Sequence, residues 1–158
     1  MITQQELKEL FDYNNGQLLA KKKSKQRNIG DALGTPNEKG YLIAHVNAKL
    51  YRVHRLIFLY HHGYMPNQID HINGKRSDNR IENLRQATSV QNAQNRMTIA
   101  SSGFKGVYWH KKTKRWTASI CIGRKNIHLG SFENIDAAKA VAVQARKDVH
   151  GSFAKGEK

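Results

Sequence analysis

The chain has 158 residues, a length that fits one domain or two small ones. Lys and Arg number 27 against 12 Asp and Glu, which gives a formal net charge of +15. No apolar run approaches the roughly 18 residues that a membrane-spanning helix needs. The single cysteine, Cys121, excludes an internal disulfide and any multi-cysteine zinc site. We therefore expect a cytoplasmic protein without a membrane partner.

The positive charge is spread over both halves of the chain, which excludes a neutral enzyme with a basic tail. An excess of this size indicates a polyanionic partner, and nucleic acid is favoured over a merely soluble basic protein. Double-stranded DNA is the expected partner, and no obligate protein partner is inferred.

The N-terminal part predicts a capped helix, a turn and a strand. Thr3 with Glu6 forms a capping-box pattern for a helix over residues 3–11. Turn residues then lead into a strand at 17–21. The run 21–27 holds five basic residues among seven and has no apolar periodicity, so we favour a solvated loop over an arm that grips phosphates.

Hydrophobic periodicity and turn residues predict the remaining elements. A change to small and polar residues at 97–103 indicates a linker between two domains. Cys121 is interpreted as a small core residue of the second domain. The predicted strands are 41–47, 49–54, 69–72, 84–87, 106–110, 116–122 and 125–129, and the predicted helices are 56–61, 89–96 and 134–149.

One group of polar residues suggests the chemistry of phosphodiester hydrolysis. Asp70 and His71 are predicted on a strand, and Asn92 on the helix that follows the hairpin. Carboxylate and amide oxygens are hard ligands suited to Mg²⁺ or Mn²⁺. A neutral imidazole beside them can take a proton from water at physiological pH. The pattern therefore points to a metal-assisted hydrolase.

The stretch from Asp70 to Asn92 resembles the β-β-α-metal motif of the His-Asn-His (HNH) endonucleases, closest to their phage- and intron-associated homing members. The resemblance implies that His71 is the general base. It makes Asp70 and Asn92 the ligands of one divalent cation, Mg²⁺ first and Mn²⁺ as the alternative. Asn83 would bridge the loop and orient His71. Asn92 stands where the family's name-giving His is found, which favours Mg²⁺ over zinc.

Other residues near this motif are candidate DNA contacts. Arg76, Arg80 and Arg85 are expected to contact phosphates, while Asn79 is expected to stabilise the loop. His54 has two interpretations that the residues leave open, packing against the hairpin or touching a phosphate.

A second pattern is formed by the segments 104–109, 115–120 and 128–132, the helix that follows them and the closing residues 150–154. Through these segments, residues 103–155 resemble the plant Apetala/ethylene-response-factor DNA-binding domain. In that family a three-stranded sheet enters the major groove, and its exposed side chains reach bases and phosphates. Tyr108 and Ser119 stand where the plant proteins often carry Arg, so their target sequence does not transfer. The matching positions are Lys105, Tyr108, His110, Arg115, Trp116, Ser119, Arg124 and Lys125.

These observations predict an α+β chain with an HNH nuclease domain at 1–96, a linker at 97–103 and a DNA-binding domain at 104–158. The function implied is that of a metal-dependent DNA endonuclease of the phage homing type. A DNA-binding regulator with an inert nuclease motif is the alternative, and an RNA-directed binder is a second rival.

Overall fold

The computed structural model describes residues 1–95, 102–123 and 125–154. This part of the chain is a mixture of small antiparallel sheets and four α-helices, as the α+β prediction expects. Two compact units are formed, Met1–Ser89 and Val90–Lys158. Their boundary lies earlier than the predicted domain end at residue 96, and most of the predicted linker lies outside the described residues. Within those residues, no helix is long and apolar enough to cross a membrane.

The first unit starts with the predicted capped helix. In α1 (Gln4–Leu10) the Thr3 side chain accepts from the Glu6 amide while the Glu6 carboxylate reaches back, which confirms the capping box. The chain then enters β1 (Phe11–Asn14), which pairs antiparallel with β2 (Gln17–Ala20). The sequence prediction missed β1, because the apolar Phe11 also fits the helix period. Its backbone is extended, and its ring is buried in the core.

The β1–β2 turn is a contact point with a later loop. Asn15 and Gly16 both have positive φ, 42° and 84°, as a tight hairpin turn requires. A Cβ on Gly16 would lie 2.8 Å from the backbone nitrogen of Arg80. On β1, the Tyr13 hydroxyl accepts a 3.0 Å hydrogen bond from the Ile81 amide. The N-terminal hairpin therefore supports the loop that precedes residue 81.

A second sheet leads into the central helix of this unit. Its order is β3 (Thr35–Pro36), β4 (Leu42–Val46) and β5 (Lys49–Arg52). The following α2 (Val53–His62) begins before the predicted start at residue 56, so His54 is helical and not part of a strand. Val53, Leu56 and Ile57 of α2 are fully buried and form the centre of the core. Gly63 ends the helix with a positive φ of 77°.

A short hairpin carries the residues of the predicted motif. In β6 (Ile69–His71), Asp70 lies opposite Arg85 and His71 opposite Leu84 of β7 (Leu84–Gln86). A 3₁₀ turn at Ile81–Asn83 precedes β7, and α3 (Ser89–Asn95) follows it. The order strand, loop, strand, helix is the one that the sequence predicts.

The second unit is a sheet with one helix. Strands β8 (Val107–His110), β9 (Arg115–Ile122) and β10 (Lys125–Phe132) are antiparallel, with β9 in the centre. Asn134 caps α4 (Ile135–His150) as predicted, and a 3₁₀ turn at Gly151–Phe153 follows. The helix packs on the sheet through a small core of Val107, Ala118, Ala138 and Ala142.

Cys121 does not belong to this core. It is exposed and shares the strand period of Ser119, on the opposite face from Ala118. The interpretation of Cys121 as a small core residue was therefore wrong, since a small apolar residue near a strand end fits either face.

Candidate nuclease site

His71 occupies a buried position at the end of β6. Its side chain is only 5% exposed, and Nε2 lies 3.1 Å from Oδ1 of the buried Asn79. An amide oxygen can only accept, so this contact favours the neutral tautomer with its proton on Nε2 and Nδ1 as the basic nitrogen. The contact also fixes the orientation of the ring.

Burial controls the charge of this imidazole. It lowers the pKa of His71, while the bond to Asn79 and the carboxylates of Asp70 and Asp78 act in the opposite direction. The net result is a pKa below the ordinary value, so the ring is neutral at neutral pH. A neutral ring is what a general base requires.

Asp70 is paired with Arg85 across the hairpin. Nε and Nη2 of Arg85 lie 2.9 and 2.7 Å from Oδ2 of Asp70. Asp70 is buried, and the Arg85 side chain is only 16% exposed. The expectation of a phosphate contact for Arg85 is therefore corrected, because its guanidinium neutralises a buried carboxylate within the protein.

Asn83 bridges the loop between the two strands. Its Oδ1 accepts from the Asn73 amide at 2.9 Å, and its Nδ2 donates to Asn73 Oδ1 and to the Asp78 carbonyl. Bridging the loop is what the sequence predicts for Asn83. The bond to the His71 ring comes instead from Asn79, which was expected only to stabilise the loop.

Arg80 is also engaged within the loop. Its Nε and Nη2 lie 2.9 and 2.8 Å from the two carboxylate oxygens of Asp78. This pairing lowers the pKa of Asp78 and raises the pKa of Arg80. Arg80 is half-exposed, but its guanidinium already has an anionic partner, so the structure does not show it as a phosphate contact.

His71 belongs to a cluster of three rings with His54 and Tyr41. His54 is 3% exposed, and its ring lies 4.9 Å from the His71 ring in an edge-to-face arrangement. Tyr41 contacts both imidazoles, at 5.4 and 6.1 Å. Of the two interpretations of His54, this position supports packing against the hairpin. Burial and the neighbouring His71, Arg52 and Arg55 lower the pKa of His54 to about 3.

Arg76 lies over the same aromatic cluster. Its guanidinium is 5.1 Å from the Tyr41 ring centroid, and it donates to the Lys39 carbonyl. The guanidinium of Arg52 is also close to this ring, at 4.9 Å from the centroid. The Arg76 side chain therefore lies against the protein surface and does not extend into solvent, where a phosphate contact was predicted.

The donor set for a metal ion is small. The described residues contain no group of three or more His, Cys, Asp or Glu side chains that could hold a metal. The predicted ligands are instead one carboxylate, Asp70, and one amide, Asn92. Asp70 is buried in the first unit, and its oxygens are hard donors of the kind that Mg²⁺ prefers. Asn92 is a half-buried residue of α3, in the second unit.

The exposed sheet face of the second unit carries some of the predicted DNA contacts. Tyr108 is 44% exposed and lies opposite Thr117, on the face away from α4. Lys125 is exposed, and His110 bonds Thr113 through Nδ1 at 2.8 Å. Arg115 is exposed but pairs with Glu133 at 2.8 Å. Arg124 lies outside the described residues.

Three predicted contacts of this unit are less accessible. Trp116 packs against the core on the helix side, so its DNA-facing assignment is corrected. Ser119 is only 8% exposed. Lys105 is half-buried, and its Nζ donates to the Ala93 carbonyl at 3.4 Å. Burial and the nearby Arg146 lower the pKa of Lys105.

Parts of this chain are similar to known proteins. Residues 51–94 match the family model described as HNH endonuclease. Protein 3.8 of Escherichia phage T7 is 33% identical over 91 residues, covering 55% of this chain and 73% of that protein. The chain belongs to the family of Protein 3.8. A solved structure, "DNA binding and cleavage by the HNH homing endonuclease I-HmuI", is 27% identical with a TM-score of 0.41. It matches 54% of this chain, which spans about half (49%) of that one.

The family match runs from β5 into α3 and includes the β6–β7 hairpin. It contains His54, Asp70, His71, Asn83 and Asn92, whereas Tyr41 of the ring cluster lies before it. Within it, sequence reasoning missed the contact of Asn79 with His71. The sequence shows Asn79 only as another Asn in a polar loop. Its contact with His71 could not be predicted, because burial of the Asn79 side chain depends on how the loop closes.

Proposed function

We propose that this member of the Protein 3.8 family is a metal-dependent DNA endonuclease of the phage homing type. The HNH domain supports nuclease activity, and the charge of +15 supports a polyanionic substrate. The observation that carries the proposal is the His71 imidazole, neutral and held by Asn79 beside Asp70. Such a ring can accept a proton from water at Nδ1 while its other nitrogen stays bonded.

Each residue of the site has a separate role in this proposal. His71 takes the proton of the attacking water, Asn79 orients the ring and Asn83 holds the loop closed. HNH nucleases generally use a divalent metal ion, and we propose Mg²⁺ with the Asp70 carboxylate as a ligand. When bound, the cation would offset negative charge on the phosphoryl group and the leaving oxygen. Arg85 holds the Asp70 carboxylate in place through their ion pair.

We propose DNA binding for the second unit. Its sheet presents Tyr108, His110 and Lys125 on the surface, and its sequence resembles the Apetala/ethylene-response-factor domain. A small nuclease motif makes few base contacts, so a separate binding unit would supply affinity and register. The target sequence of the plant proteins is not carried over, because Tyr108 and Ser119 stand where those proteins often carry Arg.

The test is cleavage of supercoiled plasmid and of the source genome, with Mg²⁺ and with EDTA. We expect relaxed or linear product with Mg²⁺ only, and its loss in His71→Ala. The ratio of the two products separates nicking from double-strand cleavage. His62→Ala is the matched control, because His62 is exposed and packs only on Phe58 and Tyr64.

Other results would support the rival functions. Tight duplex binding without cleavage of either substrate would favour a DNA-binding regulator with an inert nuclease motif. Tighter binding of structured RNA than of duplex DNA, at matched salt, would favour an RNA-directed protein.

A further inference from the structure

A cavity in the first unit lies apart from the residues of the nuclease site. It has a volume of about 750 Å³ and is an open cavity lined by the basic segment 22–27 and the β4–β5 turn. Its floor is apolar and includes Leu10, Phe11 and Val46. Lys22, Lys23, Lys25 and Arg27 contribute to its walls, and the lining contains no carboxylate.

Both ends of the basic segment are fixed to the fold. The Lys21 amide donates to the Leu10 carbonyl at 2.9 Å, and Lys21 Nζ pairs with Asp12 at 3.4 Å. At the other end, Arg27 Nη2 donates to the His45 carbonyl at 2.7 Å. The segment is therefore an exposed loop, as the sequence favours, and both of its ends are anchored to the fold.

Between these anchors, three lysines face no counter-charge. Lys22, Lys23 and Lys25 are exposed and make no ion pair or hydrogen bond with any residue in the described part of the chain. Three neighbouring cations beside an apolar floor form a surface that is complementary to a ligand with anionic and apolar parts.

We propose that this cavity binds a nucleotide of an unpaired DNA strand, with the base on the apolar floor and the phosphates on Lys22, Lys23 and Lys25. The volume is in the range of small-ligand sites, roughly 300 to 1,000 Å³. A paired base cannot enter, because it is stacked on both sides within the duplex. The inference rests on the proposed function for its choice of DNA, and it narrows the substrate to DNA with an unpaired segment.

The test compares the affinities of three labelled probes in EDTA. One is a blunt duplex, one carries a short oligothymidine overhang, and one carries an overhang of abasic residues with the same phosphates. We expect the thymidine overhang to bind about tenfold more tightly than the blunt duplex, and the abasic overhang to lose most of this gain. Equal affinity for the thymidine and abasic overhangs would overturn the proposal.

The variant for this test is Lys22→Gln/Lys23→Gln/Lys25→Gln, in an exposed segment where folding should persist. We expect it to abolish the overhang preference and to reduce the salt slope for the overhang probe by about 2. The matched control, Lys111→Gln/Lys112→Gln/Lys114→Gln, removes three exposed lysines from the β8–β9 turn and should keep the preference. An unchanged preference in the first variant would contradict the proposal. Plasmid cleavage, measured separately, distinguishes this failure from failure of the nuclease assignment.

Discussion

Arg85 holds the carboxylate of Asp70 with two nitrogen atoms, at 2.9 and 2.7 Å, directly across the β6–β7 hairpin. Both side chains are largely buried. The net stabilisation by a buried ion pair is small, because both charges lose their hydration. Removal of one partner is strongly destabilising, because it leaves the other charge buried and unpaired.

Arg85→Ala is therefore expected to lower the free energy of unfolding by about 3 to 5 kcal/mol. The measurement is urea unfolding at neutral pH. Arg115→Ala serves as the control, since its pair with Glu133 is exposed and should contribute less than about 1 kcal/mol. Equal losses in the two variants would show that Asp70 does not depend on Arg85.

Asn79→Ala is expected to lower kcat for DNA cleavage about 10- to 100-fold, by releasing the His71 ring. Duplex affinity and KM should stay near the wild-type values, because Asn79 is buried away from the surface. Single-turnover cleavage with a binding titration checks both quantities. The control is Asn67→Ala, an exposed position. A parallel loss of affinity would assign Asn79 to general folding of the loop.

His54 makes the first unit sensitive to acid. Its pKa is about 3 in the fold against 6.5 ordinarily, so the unfolded chain binds more protons between these values. The contribution of His54 to stability is therefore complete above pH 6.5 and is lost as the pH falls toward 3. At pH 5 the expected loss is about 2 kcal/mol.

The measurement is unfolding free energy from pH 7.5 to 4.5 in the wild type and in His54→Phe. The variant should show a shallower decline with falling pH, while His62→Phe, an exposed position, should keep the wild-type slope. Identical slopes in all three proteins would rule out His54 as the group responsible.

A comparison of alanine variants at Gly16 and Gly30 tests whether the β1–β2 hairpin supports the loop that precedes Ile81. Their φ angles are 84° and 86°, so an alanine at either position carries the same backbone strain, about 1 to 2 kcal/mol. Only at Gly16 does a Cβ approach Arg80, at 2.8 Å, whereas nothing lies within 4 Å of one on Gly30.

Gly16→Ala should thus destabilise the protein by about 1 to 3 kcal/mol more than Gly30→Ala, the range seen for overpacking. It should also slow cleavage, because the displaced segment is continuous with Asn79. Thermal unfolding and cleavage rates of both variants check this. Equal behaviour would mean that the hairpin does not position the loop.

The sequence predicted those parts of the fold that are encoded locally. The Thr3 capping box, the Asn134 cap and the strand order of the second unit follow from short patterns. The start of α2 could not be predicted in this way. Arg52 precedes it without a side-chain cap, so nothing in the sequence marks Val53 as the first helical residue.

The residues of the candidate site could be predicted from the sequence, but the contacts between their side chains could not. The spacing of Asp70, His71 and Asn83 identifies the motif, whereas the partner of His71 depends on loop closure. Arg85 was expected on DNA because exposed arginine is the usual case in a basic protein. Its cross-strand position opposite Asp70 was the signal that would have corrected this expectation.

The exposure of Cys121 has a practical consequence. It is the only thiol of the chain, and it lies on the sheet face that also carries Tyr108. A maleimide dye would attach at this one position without engineering. Its emission would then report whether DNA approaches this face of the sheet, and at what rate.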